Sequence, residues 1–150
     1  MDFIADFIGN KIFIASFFSW IIAQLLKAII HTLLSKKFVP ERLVGSGGMP
    51  SSHSSTVCAL ATSTGILYGG GSFEFAMAIV FAIVIMHDAI GVRREAGNHA
   101  KILNELMERL LHPDTNITPQ ERLKEFVGHT PLQVFAGAIL GILIAVVICL

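Results

Sequence analysis

The sequence predicts an all-α integral membrane protein. The expected architecture is a helical bundle of about four transmembrane helices, with a helical excursion between the third and fourth, in one domain over residues 1–150. Three observations carry this. Hydrophobic residues make up 53% of the 150 positions and the mean hydropathy is +0.69. Only 15% of residues are charged, against about 25% in an ordinary soluble domain. The apolar residues fall into separate long runs, and the basic residues fall between them. Membrane lipids are therefore the first expected partner. A formal net charge of zero, with no basic stripe interleaved with aromatics, excludes a nucleic-acid partner. Both cysteines, Cys58 and Cys149, lie in apolar runs, and the chain has neither a disulfide framework nor zinc-ligand spacing.

Phe3, Ile4, Phe7 and Ile8 recur at helical spacing with Asp2 and Asp6 opposite, which predicts a short interfacial helix or an early extension of the first span. The start Met1-Asp2-Phe3 lacks a basic n-region, so the first span is expected to act as its own insertion signal. Residues 12–34 suffice to cross ~30 Å of hydrocarbon. Gln24, Lys27 and His31 share one stripe of that helix. A lone lysine can snorkel to the headgroups, but lipid cannot satisfy three polar residues, so this stripe is expected to face the bundle interior or a wet cavity.

A basic loop with Lys36, Lys37 and Arg42 follows, and then a second span over 51–68, weakly hydrophobic and rich in Ser, Thr, Ala and Gly. Its small residues, among them Ala59, Ser63 and Gly65, suit close helix contact better than lipid. Gly69 to Ser72 form a tight turn. Residues 75–86 are the unbroken apolar core of a third span that ends in His87-Asp88. Ala96, Ala100, Leu103, Met107 and Leu110 continue a helical stripe beyond it, with Arg109 placed to pair with Glu105. Thr118-Pro119-Gln120-Glu121 has the form of a capping box opening a short helix that ends near Gly128. Residues 131–150 form the fourth span, interrupted by Gln133. Gly137 and Gly141 form a G-x-x-x-G there, which permits close helix approach within the monomer, the favoured reading, or in a homodimer.

Four spans place Lys36, Lys37, Arg42, Arg93, Arg94, Lys101, Arg109, Arg122 and Lys124 on one side and only Lys11 on the other. That asymmetry predicts cytoplasmic motif-bearing loops, and the expected location is a bacterial plasma membrane. The same topology gathers the chemistry. The stretch Gly47 to Ser55 is a glycine-rich knot whose serines and Pro50 can open a helix. It is either a capped loop or an anion site at a helix N-terminus, with His53 one turn in. Asp88 to Arg94 and His129 fall at the same membrane face, and Lys27 is within side-chain reach. Two histidines with several cations point to a phosphoryl-group site, or to contact with anionic lipids.

The motifs Gly48-Met49-Pro50-Ser51-Ser52-His53-Ser54, Asp88-Ala89-Ile90-Gly91-Val92-Arg93-Arg94 and Gly128-His129-Thr130-Pro131, in this order, resemble the divergent branch of the type 2 phosphatidic-acid-phosphatase superfamily, related to acid phosphatases and vanadium-dependent haloperoxidases. The resemblance implies a lipid or isoprenoid phosphate monoester or diphosphate as substrate, hydrolysed with no metal and no other cofactor. It implies His129 as nucleophile and His53 as general acid. Gln133 stands where the superfamily has an orienting aspartate, Ser52 where it has a glycine, and Leu123 where an arginine would be. Lys27 and Arg42 can serve as the cations of an unmatched early motif, and Ser51, Ser52, Arg93 and Arg94 complete the expected phosphate-binding set. Two other readings stay open: a non-catalytic relative binding an anionic lipid or phosphate in a structural, transport or regulatory role, and a hydrolase in which Asp88 acts directly with a divalent cation.

Overall fold

The computed structural model describes residues 3–36, 48–110, 123 and 128–150, with the side chains of Arg93 and of residues 108–110 left out of account. All regular structure among them is helical. The helices are α1 (Phe3–Ile8), α2 (Lys11–Ser35), α3 (Ser52–Tyr68), α4 (Phe73–Ile90), α5 (Val92–Leu110) and α6 (Pro131–Cys149). Asn10 separates α1 from α2: its side-chain oxygen accepts the N–H groups of Ile12 at 2.9 Å and Phe13 at 3.2 Å, so the chain starts a new helix there. The short amphipathic helix is thus a separate element. Ser72 and Thr130 cap α4 and α6 in the same way.

Among the described residues three runs are long and apolar enough to cross a membrane: Lys11–Ser35, Phe73–Met107 and Pro131–Cys149. The expected second span, α3, has 17 residues, a length of about 25 Å. Of α2, α3, α4 and α6 it is the least apolar and the most enclosed, with nine buried residues: Ser52, Ser54, Ser55, Val57, Cys58, Ala59, Ala61, Ser63 and Thr64. It lies among α2, α4 and α6 and shares its largest interface with α6. A helix surrounded by protein needs no hydrocarbon surface, so low hydropathy costs it nothing. Its hydroxyls are satisfied locally. Ser63 and Thr64 donate back to the carbonyls of Ala59 and Leu60, each at 2.7 Å, and Ser55 meets Ser19 of α2.

Side-chain contacts fix the helix directions. Lys27 of α2 meets Ser52, Ser19 meets Ser55, and Ala15 packs with Ala59, so α2 runs antiparallel to α3. On α4, Phe75 lies against Gly65 and Met86 against Cys58, which is again antiparallel. Gly137 and Gly141 of α6 face Ser51 and Ser55 and run parallel to α3. A Cβ on Gly137 would collide with the Ser51 carbonyl oxygen, and one on Gly141 with that of Ser55. The G-x-x-x-G therefore seats α6 on α3 within the monomer. The parallel pair exists because the excursion returns the chain to the end of the bundle it left: the His129 N–H bonds to the Ala89 carbonyl at 3.0 Å. The expected capping box at Thr118 lies outside the described residues, as does Arg109's expected pairing with Glu105.

Candidate functional site

One end of the bundle collects the last turns of α2, the entry into α3, the end of α4 and the start of α6. Lys27 is 2% exposed, deep for a lysine near the middle of a membrane helix. Its ammonium donates to Gln24 Oε1 at 2.7 Å and reaches Ser52 Oγ at 3.5 Å. The polar stripe of α2 thus faces inward, with Gln24 and Lys27 buried and His31 half-buried. Gly48 closes over the lysine stem. Its φ is +106°, and a Cβ would sit 3.1 Å from Lys27 Cγ, so this position favours glycine twice over.

Ser51 caps α3, accepting from the N–H of Ser54 at 3.3 Å and its hydroxyl at 3.0 Å. Its own N–H donates to the Gln133 carbonyl at 3.0 Å, which ties the entry of α3 to the first turn of α6. Ser51 and Ser52 are buried, and His53 is half-buried one position on. The His53 and His129 rings lie 6.3 Å apart between centroids at 60°, close enough for both to reach one bound group.

His129 is 2% exposed. It stands just before a true capping box in which Thr130 Oγ1 accepts the Gln133 N–H and Gln133 Oε1 accepts the Thr130 N–H at 3.1 Å, with Pro131 next in the first turn. The same Oε1 lies 3.2 Å from His129 Nδ1. A backbone N–H can only donate, so the amide atom facing Thr130 is the oxygen, and Nδ1 must carry a proton to bond to it. A neutral His129 then has its lone pair on Nε2. That atom is buried and has no hydrogen-bond partner among the described residues. Burial holds the His129 pKa below its ordinary value, and the nearby charges of Lys27 and His53 push it the same way. Two acceptors near the ring, the Gln133 side chain and the Gly48 backbone, pull against this.

A cavity of about 210 Å³ opens beside these groups. Lys27, His31 and Gln133 give it a polar side, and Ile30, Leu34 and Met49 an apolar one. The remaining expected site residues are distributed as follows. Asp88 is half-buried in the last turn of α4, next to the Ala89 that holds the His129 backbone. Arg94 is exposed on α5, beyond the break at Gly91, and is not part of the hydrogen-bonded cluster. Arg42 and the side chain of Arg93 lie outside the described residues. Among those residues no group of three His, Cys, Asp or Glu side chains is placed to share a metal ion. Gln24 belongs to the cluster although the sequence marks it only as part of a polar stripe. The capping role of Gln133 was readable: Thr130-Pro131-Leu132-Gln133 has the same form as the box expected at Thr118.

The sequence model of the Divergent PAP2 family matches residues 8–144. The chain is also 36% identical, over 95% of its own length and 96% of the relative's, to the uncharacterized membrane protein YuiD of Bacillus subtilis (strain 168). No solved structure matches. With a family match over nearly its whole length and a full-length relative, this integral membrane protein belongs to the Divergent PAP2 family.

Proposed function

We propose that the protein is a membrane phosphatase that hydrolyses a lipid or isoprenoid phosphate through a histidine nucleophile. The observation that carries this reading is the state of His129: buried, its pKa lowered, protonated on Nδ1 by its bond to Gln133, and with a lone pair on Nε2 that has no partner among the described residues. A buried polar atom without a partner costs about 1–3 kcal/mol, a cost that ligand contact or chemistry would offset. Lys27 and the capped start of α3 supply positive potential for a phosphate. Nε2 attacks phosphorus in line, the bond to the leaving oxygen breaks, and protonated His53 gives that oxygen its proton. Water then attacks the phosphohistidine while His53 takes a proton from it, releasing phosphate and restoring both rings.

The neutral amide of Gln133 supports a second reading. It orients the imidazole but adds no negative charge to stabilise the imidazolium, which suits a protein that binds a phosphate without cleaving it. The purified protein, offered a panel of lipid and isoprenoid phosphates with and without a chelator, separates the readings. Hydrolysis predicts phosphate release that survives chelation and is abolished in His129→Ala. Vanadate binding without release would favour the non-catalytic reading, and chelator-sensitive release would favour a metal-dependent site at Asp88.

The basic loops support a site open to the cytoplasm. In that orientation the protein meets only lipids presented in the inner leaflet.

A further inference from the structure

Among the described helices α5 packs only on α4, and its residues divide into three stripes. Gly97, Ala100 and Asn104 are buried, at i, i+3 and i+7. Asn104 clamps the backbone of Leu123, donating to its carbonyl and accepting its N–H, each at 3.0 Å. Arg94, Asn98, Lys101 and Glu105 form an exposed polar stripe. Val92, Leu103 and Leu106, flanked by Ile102, form a third stripe that is apolar and also uncovered, each side chain 49–68% exposed.

Protein contact explains the first stripe and water the second. The third needs an apolar phase, and its position says which. α4 has 18 residues, a length of about 27 Å, close to the ~30 Å of a hydrocarbon core. Its acidic side chains stand at its two ends, Glu74 in the first turn and Asp88 in the last. Val80, Ile83 and Val84 between them are exposed, which on a spanning helix means lipid contact. The bilayer boundary therefore falls near the end of α4. There Gly91 takes a ψ of −92°, far from the helical value near −42°, so the chain turns before α5 begins. The apolar stripe starts at Val92, one residue past that turn, and reaches Leu106 after about 21 Å of helix. A helix pointing straight out of the membrane would carry the far end of the stripe that distance into water. A helix lying along the surface keeps the whole stripe against lipid.

We propose that α5 is an interfacial helix, lying along the bilayer surface at the site end of the bundle. Val92, Leu103 and Leu106 sit among the acyl chains just below the headgroups, and Arg94, Lys101 and Glu105 stay in water. The occupant of the stripe is the lipid surface, continuous with the lipid that covers α4. Among the described side chains of α5 the exposed charges balance, Arg94 and Lys101 against Glu95 and Glu105, so apolar burial rather than headgroup charge holds the helix there. None of this depends on whether His129 is a nucleophile.

The test uses the unaltered protein in phosphatidylcholine vesicles that contain one of two photoactivatable phosphatidylcholines. One carries a diazirine next to the glycerol ester, the other at the end of an acyl chain. The shallow probe should label residues 92–106 severalfold more than the deep one, while α4 takes label from both. Equal labelling of α5 by the two probes, or none, overturns the proposal. Nitroxides on single cysteines resolve the face, in a Cys58→Ala, Cys149→Ala background. At Leu103→Cys and Leu106→Cys the ratio of collisions with oxygen, which concentrates in lipid, to collisions with a water-soluble nickel chelate should be severalfold higher than at Asn98→Cys and Glu105→Cys. One ratio at all four positions would mean a helix in water. Spin–spin broadening at Leu103→Cys that disappears on dilution with unlabelled protein would mean that a second copy covers the stripe. Exclusion of both reagents would mean that another part of the chain does. Each of these three results also overturns the proposal.

Discussion

Gln133 does two jobs through one oxygen, completing the cap of α6 and holding the proton on His129 Nδ1. A glutamate at this position keeps both bonds because its side chain has the same reach, and it adds a negative charge beside the ring. An aspartate would be one methylene short of the box. Gln133→Glu should therefore raise the His129 pKa by about 1–3 units, the usual effect of a close opposite charge. The proposed histidine nucleophile must be unprotonated to attack, so under that reading the acid limb of kcat/KM follows this pKa. In the parent protein burial lowers it from 6.5, so activity should persist below that pH and fall only in more acidic solution. In Gln133→Glu the limb should move to higher pH, with a faster step at alkaline pH as the imidazolium is stabilised. A pH–rate profile with an unmoved limb would mean that Gln133 does not govern His129. At this scale much was legible: the motifs put His53, His129 and Lys27 at one place, and the structure finds them there. The sharing of one amide oxygen was not, because it depends on the ring turning back onto the helix it precedes. Arg94, expected with Arg93 in the phosphate-binding set, is exposed on α5, beyond the end of α4 at Gly91.

Among the elements, α3 explains why a weakly apolar segment is the centre of the bundle. The excess of Ser, Ala and Gly signalled protein contact, and that much was plain from composition. The depth of the contact was not, since backbone approach at Gly137 and Gly141 is set by the partner's carbonyls. Gly137→Ala should destabilise the protein by about 1–3 kcal/mol, because the new methyl meets the rigid Ser51 backbone. Gly65→Ala is the matched control. Its methyl would meet only the edge of the Phe75 ring, at 2.8 Å, and that side chain can swing aside. Melting in detergent should therefore show a clear drop for Gly137→Ala and a smaller one for Gly65→Ala. Equal melting temperatures would mean that the α3–α6 seat is not tight.

Across the whole molecule, helix direction decides function, since every proposed site residue must share one end and that end must face one compartment. The four-span reading of the sequence puts nine basic residues on the motif-bearing side against Lys11 at the other end, which predicts a cytoplasmic site. Single cysteines at Lys36, Gly70 and Lys101, in a Cys58→Ala, Cys149→Ala background, test the orientation in intact cells. An impermeant maleimide should label position 70 alone; labelling at 36 or 101 would invert or dismantle the topology. The chemistry at that end has a sharper test. Purified protein is mixed with radiolabelled farnesyl phosphate, quenched in alkali to preserve phosphohistidine, digested, and searched for the labelled peptide. The label should sit on His129, be absent in His129→Ala, and accumulate in His53→Ala when an activated ester is the donor. Phosphate release with no label on His129, or with label on Asp88, would contradict a histidine nucleophile.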